Sequence, residues 1–267
     1  MDLTTLLEAI LLGIVEGLTE FLPVSSTGHL ILVGDLLGFE GPPGNVFEIV
    51  IQLGAILSVC WAYRAKLIDV TLTVSRNPAS FRFVRNLTLA FLPSVAIGML
   101  AYKTIKTLLF SPWVVSVTLI VGGFAIILIE RIRPPERHRA IEEFDSWLAL
   151  KIGLAQCVSM IPGVSRAGAT IMGGLLMGVD RRTATEFSFL LAIPTMLAAT
   201  VYDLYKNWDG LSGAGTLTIA VGFVAAFLSA LIVVRTLIGF VSRHGFASFA
   251  WYRIAVGAVM LAILALR

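Results

Sequence analysis

Two carboxylates four residues apart, Glu16 and Glu20, sit in an otherwise apolar stretch and are followed at once by Pro23. Three hydroxyls and an imidazole come next, in the run Val24-Ser25-Ser26-Thr27-Gly28-His29. On a helix that runs up to Pro23, a spacing of four aims both acids at one place. Ionisable groups in apolar segments are expensive and normally face a cavity or a pathway. A pair of interfacial acids facing water is the plainer alternative. The hydroxyls are donors or nucleophiles, and Gly28 lets backbone approach a ligand closely. A Ser-Ser-Thr run is also a plain N-cap, and the two readings are compatible because a helix N-terminus is itself an anion site. His29 alone would read as a structural histidine; beside two Glu and three hydroxyls it reads as catalytic or phosphate-contacting.

A second constellation, Pro162-Gly163-Val164-Ser165-Arg166-Ala167-Gly168-Ala169-Thr170, sets an arginine among small residues in another apolar stretch, flanked by Ser165 and Thr170. The guanidinium needs an anionic partner. Its planar fork suits phosphate, and a glycine-rich turn opening into a helix adds backbone N–H donors. An internal salt bridge from Arg166 to Glu16 or Glu20 is the competing reading, and the two can alternate if phosphate displaces the bridge. Glu48, Gln52, Gln156, Arg181, Arg182 and Glu186 lie in or beside apolar segments. Glu48 and Glu186 either orient the first residues or act as helix N-terminal carboxylates.

The elements that position these groups are membrane helices. The chain has 267 residues, 57% hydrophobic and 14% charged, with a mean hydropathy of +0.90, outside the range of ordinary soluble domains. Spans are expected at Phe47–Tyr63, Leu87–Tyr102, Trp113–Ile129, Ala184–Val201, Leu217–Val234 and Phe249–Leu266, each close to the roughly 20 residues that cross a bilayer. The regions Leu3–Phe39 and Leu148–Val179 are broken by Pro, Gly, Ser and charged residues. Breaks at membrane depth are tolerated only where protein or water covers the freed backbone, so each reads as a re-entrant hairpin. The start Met1-Asp2-Leu3 lacks the basic region of a signal peptide, so the first apolar segment is expected to remain. Cys60 and Cys157 lack the spacing of a zinc site or disulfide framework. The net charge of +3 fits basic cytoplasmic loops and calls for no nucleic acid.

A shift of 140 residues lays Gly13, Glu16, Val24, Ser25, Gly28, Gly34, Leu36 and Gly38 on Gly153, Gln156, Val164, Ser165, Gly168, Gly174, Leu176 and Gly178. The expected loops Arg64–Arg85 and Arg131–Arg139 are rich in arginine, which makes both cytoplasmic by the positive-inside rule. The resulting architecture is an all-α integral membrane protein of six transmembrane helices plus two re-entrant helical hairpins in an inverted-topology repeat. It forms a single membrane domain over 1–267, with a first repeat of about 1–130 and a second of about 148–267. Inverted repeats place a site at their centre.

The run from Glu16 to His29, together with Pro162-Gly163-Val164-Ser165-Arg166, resembles the bacterial undecaprenyl diphosphate phosphatases of the bacitracin-resistance type. The likeness extends over essentially the whole chain. It implies hydrolysis of undecaprenyl diphosphate to the monophosphate, which recycles the carrier lipid for peptidoglycan assembly, at a site open to the periplasm of the inner membrane. It makes Glu16 and Glu20 the acidic motif, Ser26 the nucleophile, His29 the motif histidine, and Ser165, Arg166 and Thr170 the second motif. The family often has Ser-Arg-Ser where this chain has Ala167, so that third hydroxyl is not required here or is replaced.

The expectations are therefore as follows. Glu16, Glu20, Ser26, His29 and Arg166 are catalytic, and Ser25, Thr27, Ser165 and Thr170 bind substrate. A divalent cation, Mg2+ or Ca2+, bridges Glu16 or Glu20 and the diphosphate. The partners are the polyprenyl diphosphate lipid and the bilayer, with a homodimer as the candidate assembly. A lipid transporter built on the same repeats is the rival reading, and a lipid-binding scaffold without turnover is a third.

Overall fold

The computed structural model describes residues 3–39, 46–108, 111–206 and 215–266 and, for residues 101–108, 204 and 206, the backbone alone. Every regular element among them is helical. The order is α1 (Leu3–Thr19), α2 (Ser26–Leu37), α3 (Val46–Ala62), α4 (Arg64–Thr73), α5 (Pro78–Leu108), α6 (Pro112–Ile132), α7 (Ser146–Gln156), α8 (Arg166–Leu176), α9 (Arg181–Lys206), α10 (Thr216–His244) and α11 (Ala247–Leu266). Two 3₁₀ turns, Ile141–Glu143 and Cys157–Met160, complete it.

Segments of α5, α6, α9, α10 and α11 are long and apolar enough to cross a membrane, and the count rises to six if α3 and α4 form one bent span. The sequence predicts six spans, Phe47–Tyr63 among them. The difference lies in α3, which has 17 residues and reaches roughly 26 Å at 1.5 Å per residue. After Tyr63 the chain turns by 72° into α4, whose composition is too polar to continue inward. The expected loop Arg64–Arg85 is also largely helical: it holds α4 and the first turns of α5, where Asn77 Oδ1 accepts from the Ala79 N–H ahead of α5 and Pro78 occupies the first helical position.

The spans are apolar on the outside. On α6, Val117, Val121, Phe124, Leu128 and Ile132 are exposed along one stripe while Val115, Ser116, Leu119, Gly123 and Ile126 are buried. The outward stripe takes the larger side chains because lipid is as apolar as the protein interior. The inward faces rely instead on small residues that let backbones meet. A Cβ at Gly13 would strike the Gly222 carbonyl, and one at Gly17 would strike Ser229 Oγ and the Ala226 carbonyl. These glycines seat α1 on α10. Gly153 packs in the same manner against Ala90, seating α7 on α5.

The two predicted breaks are present. Helix α1 ends at Thr19 rather than at Pro23, and residues 20–24 form a turn before α2. The Glu20 N–H still donates to the Glu16 carbonyl at 2.9 Å, so both acids keep helical spacing. In the second region, α7 and the 3₁₀ turn Cys157–Met160 lead into residues 161–165, and α8 follows. At 11 residues each, α7 and α8 are far too short to cross a bilayer alone.

Gly17→Val forces α1 away from α10 and is expected to lower thermal stability in detergent by the ~1–3 kcal/mol typical of overpacking. Gly34→Ala, where a Cβ meets nothing within 4 Å, is expected to be neutral or stabilising by up to ~1 kcal/mol. Equal melting temperatures for the two variants would discard the close α1–α10 seat.

Candidate active site

The two breaks meet. Ser25 and Ser165, 140 positions apart, have φ of 72° and 78°, the left-handed half of backbone space that residues other than glycine rarely enter. Each is an N-cap: Ser25 Oγ accepts from the Gly28 N–H at 3.4 Å and Ser165 Oγ from the Gly168 N–H at 3.0 Å. The first turns of α2 and α8 therefore start at the junction, and each presents N–H groups there.

Arg253, from α11, ties the breaks together. Only 1% exposed, it donates through Nη1 to the Pro23 and Val164 carbonyls, both at 2.9 Å, and through Nη2 to the Gly163 carbonyl at 2.8 Å and that of Thr118 at 3.2 Å. Its Nε donates to the Leu119 carbonyl at 3.3 Å. Ser165 Oγ adds a bond to the Leu22 carbonyl at 3.3 Å, and Thr118 Oγ1 one to the Pro162 carbonyl at 2.6 Å. Carbonyls freed by the breaks thus find protein partners, which burial requires. Sequence reasoning missed Arg253, although it is the one charge in the span Phe249–Leu266 and that isolation is itself a signal.

A cavity of about 180 Å³ opens between the breaks, lined by Glu20, Ser25, Ser26 and Thr27 from the first and Pro162, Gly163, Ser165 and Arg166 from the second. Gln52, Ser159, Thr195, Met196 and Ala199 complete it. Of these, the sequence flagged Gln52 only as a polar group in a span, and Ser159, Thr195 and Met196 carry no local pattern that marks them. Glu20 is the hub. One carboxylate oxygen accepts from Ser26 Oγ, and the other accepts from Arg166 Nη2 at 3.0 Å. Both side chains of the Glu20–Arg166 pair are largely buried. Arg166 also donates from Nη1 to the Ser188 carbonyl at 2.9 Å and lies 5.7 Å from the Phe21 ring centroid. Its Nε has no hydrogen-bond partner among the described residues.

Three expected site residues do not line the cavity. Glu16 is buried behind Glu20, and its Oε1 has no partner among the described residues. Thr170 Oγ1 donates to the Arg166 carbonyl at 2.9 Å and to Gln156 Oε1 at 3.3 Å, so it braces the start of α8. His29 is engaged at both nitrogens, with Nδ1 at 2.7 Å from the Ser25 carbonyl and Nε2 at 2.8 Å from the Tyr252 hydroxyl. The Ser25 carbonyl can only accept, which fixes the proton on Nδ1 and leaves Nε2 to accept from the tyrosine. His29 thus holds the backbone of Ser25. Glu186 lies outside the cavity lining: it pairs with Lys66, which also reaches Glu142, and Arg181 pairs with Glu130.

Comparison with known proteins shows the family to which the chain belongs. Residues 9–259 match the family described as Bacitracin resistance protein BacA. The chain is 59% identical over 262 residues to Undecaprenyl-diphosphatase 2 of Paramagnetospirillum magneticum, covering 98% of this chain and 100% of that one. It is 57% identical to Undecaprenyl-diphosphatase 2 of Rhodospirillum rubrum over 264 residues (98% and 96%) and 54% identical to Undecaprenyl-diphosphatase of Methylobacillus flagellatus over 267 residues (98% and 99%).

The cap geometry predicts an unusual ranking. Ser165→Ala keeps the left-handed backbone and loses the cap, and is expected to cost ~1–2 kcal/mol of stability. Ser165→Gly relieves the backbone while losing the same oxygen, and is expected to melt at or near the wild-type temperature. A glycine variant less stable than the alanine variant would contradict the strained cap.

Proposed function

We propose the activity from two premises, that the chain belongs to the bacitracin resistance protein BacA family and that a hydroxyl, a carboxylate and an arginine converge in one cavity. The chain is a multi-pass membrane enzyme, an undecaprenyl-diphosphatase, that hydrolyses undecaprenyl diphosphate to undecaprenyl phosphate and inorganic phosphate. This returns the carrier lipid to cell-wall synthesis. The observation that carries the mechanism is the position of Glu20, which touches both Ser26 and Arg166.

The terminal phosphate enters the cavity and takes the guanidinium of Arg166 from Glu20, with N–H groups at the starts of α2 and α8 sharing the charge. Glu20, released from its ion pair, accepts the proton of Ser26. The Ser26 oxygen forms a bond to the terminal phosphorus as the bridging P–O bond breaks, and the lipid monophosphate departs. Water then attacks the phosphoserine phosphorus as the Ser26 O–P bond breaks; Glu20 returns its proton to the Ser26 oxygen, and inorganic phosphate leaves with both protons of the water. Ser25, Thr27 and Ser165 bind phosphate oxygens from the cavity wall. Glu20 is the base in preference to His29, whose two nitrogens already serve Ser25 and Tyr252.

We propose that a divalent cation, Mg2+ or Ca2+, would be held at Glu20 together with the diphosphate. Among the described residues no three His, Cys, Asp or Glu side chains form a group able to hold a metal ion, so oxygens of the substrate must complete any shell, as is common for Mg2+. Glu16, with an unpartnered oxygen, and Glu20 are the ligands this chain would contribute. When bound, such an ion neutralises charge on the diphosphate.

The finer architecture follows the same reading: two re-entrant hairpins in an inverted-topology repeat, one membrane domain over 1–267, in the bacterial inner membrane with the site facing the periplasm. Its support is threefold. Ser25 and Ser165 share one strained cap geometry, and α1 seats on α10 as α7 seats on α5. Lys66, Glu142 and Glu186 join the basic segments at one end of the bundle. The cavity residue Thr195 lies 14 residues along α9 from Arg181 at that end, roughly 21 Å away at 1.5 Å per residue. A homodimer is the assembly we propose. Turnover by purified protein in detergent, where no gradient exists, separates the phosphatase from a lipid transporter.

Ser26→Ala is expected to retain lipid binding and to lose nearly all phosphate release, because among the described residues no other hydroxyl is bonded to Glu20. Arg166→Lys is expected to lose about a hundredfold in turnover, the ~3 kcal/mol of one strong anion contact. Wild-type rates from either folded variant would remove that residue from the reaction. For topology, a single cysteine at Asn77, in a chain lacking Cys60 and Cys157, is expected to resist an impermeant thiol reagent in intact cells. One at Gly213, which lies outside the described residues, is expected to react. The reverse pattern would invert the orientation.

A further inference from the structure

A second cavity of about 370 Å³ lies beside the first, between α5, the 3₁₀ turn Cys157–Met160 and α9. Its walls include Phe91, Val95, Gly98, Met160, Ala198 and Tyr202. Ser159, Thr195 and Ala199 line both cavities, so the apolar one continues directly from the wall of the phosphate site. The polar groups at the junction are already paired: Gln156 Nε2 donates to Ser94 Oγ at 2.7 Å and Thr195 Oγ1 at 3.4 Å. Around the opening, Leu92, Met99, Leu100, Leu197 and Val201 are exposed, a rim suited to lipid and not to water.

Packing elsewhere explains why the gap exists here. Where α10 runs along α1 and α3, Gly13, Gly17 and Gly54 draw the backbones together; added Cβ atoms would strike Gly222, Ala226 and Phe223. On α5, a Cβ at Gly98 would meet only Met160 Cε, at 3.7 Å. Pro93 and Pro194 interrupt the hydrogen-bond ladders of α5 and α9 beside the opening. The α5 side therefore stays open where the α10 side is closed.

We infer that this cavity is the prenyl-chain site: it takes the first isoprene units next to the diphosphate, entered sideways from the bilayer between α5 and α9. The inference rests on the phosphatase reading for the identity of its occupant. An apolar slot joined to a phosphate pocket fits an amphiphile whose charged end and unsaturated hydrocarbon chain are directly bonded. It also makes Gly98 a specificity residue, since its missing side chain leaves the slot its width.

The test compares farnesyl diphosphate with isopentenyl diphosphate, long and short members of one chemical class, on purified protein in detergent. Gly98→Phe and Ala198→Phe are expected to lower the ratio of kcat/KM for the long over the short diphosphate by at least tenfold, chiefly through KM. Val224→Phe, on an outward face of α10, is expected to leave the ratio as it is. An unchanged ratio in both slot variants, shown to be folded by their melting curves, would overturn the assignment. A photoreactive group in the chain of farnesyl diphosphate gives a readout independent of turnover. It is expected to label peptides of α5 and α9, and labelling confined to α3 and α10 would refute the slot. Correct labelling without turnover of either diphosphate by the wild type would overturn the phosphatase reading and keep the slot.

Discussion

The structure depends on one buried guanidinium. Two breaks between helices leave carbonyls without partners, and a membrane interior supplies no water to cover them. Arg253 answers both breaks at once, donating to Pro23 on one side and to Gly163 and Val164 on the other. An unmet buried acceptor costs ~1–3 kcal/mol, and a buried charge without partners costs more. The arginine and the broken backbone therefore stabilise only each other: neither is tolerable alone. With the carbonyls turned toward Arg253, the N–H groups at the starts of α2 and α8 are left to face the cavity.

Around this clamp the two breaks share backbone geometry and divide the chemistry. Ser25 and Ser165 adopt the same strained cap, so each supplies a helix N-terminus to the cavity. The acids are on one side only. Glu16 and Glu20 have Gln156 and Met160 at the positions 140 residues on, and Gln156 serves as a brace, accepting from Thr170 and donating to Ser94. The second break contributes the cation. A carboxylate touching a hydroxyl can take its proton, and an arginine touching that carboxylate holds it until an anion competes. Assembly of the Ser26–Glu20–Arg166 cluster thus needs both breaks, with neither carrying a complete set.

The same economy governs the packing. Lipid offers no hydrophobic drive for helices to associate, so the interfaces depend on small residues, backbone approach and satisfied polar groups. Where α1 meets α10, glycines bring the helices into contact. Large apolar side chains such as Phe124 and Leu128 on α6 face outward, while others, among them Phe21, Phe187 and Phe189, fill the core.

The solvent, the element type and the two motifs were legible along the chain. Hydropathy and the spacing of apolar runs answer to bilayer thickness and helix rise, which are local and one-dimensional, so α6, α10 and α11 were legible along with both breaks. The acids, hydroxyls and Arg166 were legible because charge in an apolar segment needs a reason nearby. Only the tertiary structure decided which groups meet. It bent the chain after α3, where length alone could not show a 72° turn. Of the two acids that the sequence offered Arg166 it chose Glu20, 146 positions away; it recruited Thr195, Met196 and Arg253 from distant helices, and turned His29 toward Tyr252. Contacts between residues far apart in the chain leave no period or spacing to read, since they depend on how whole helices pack.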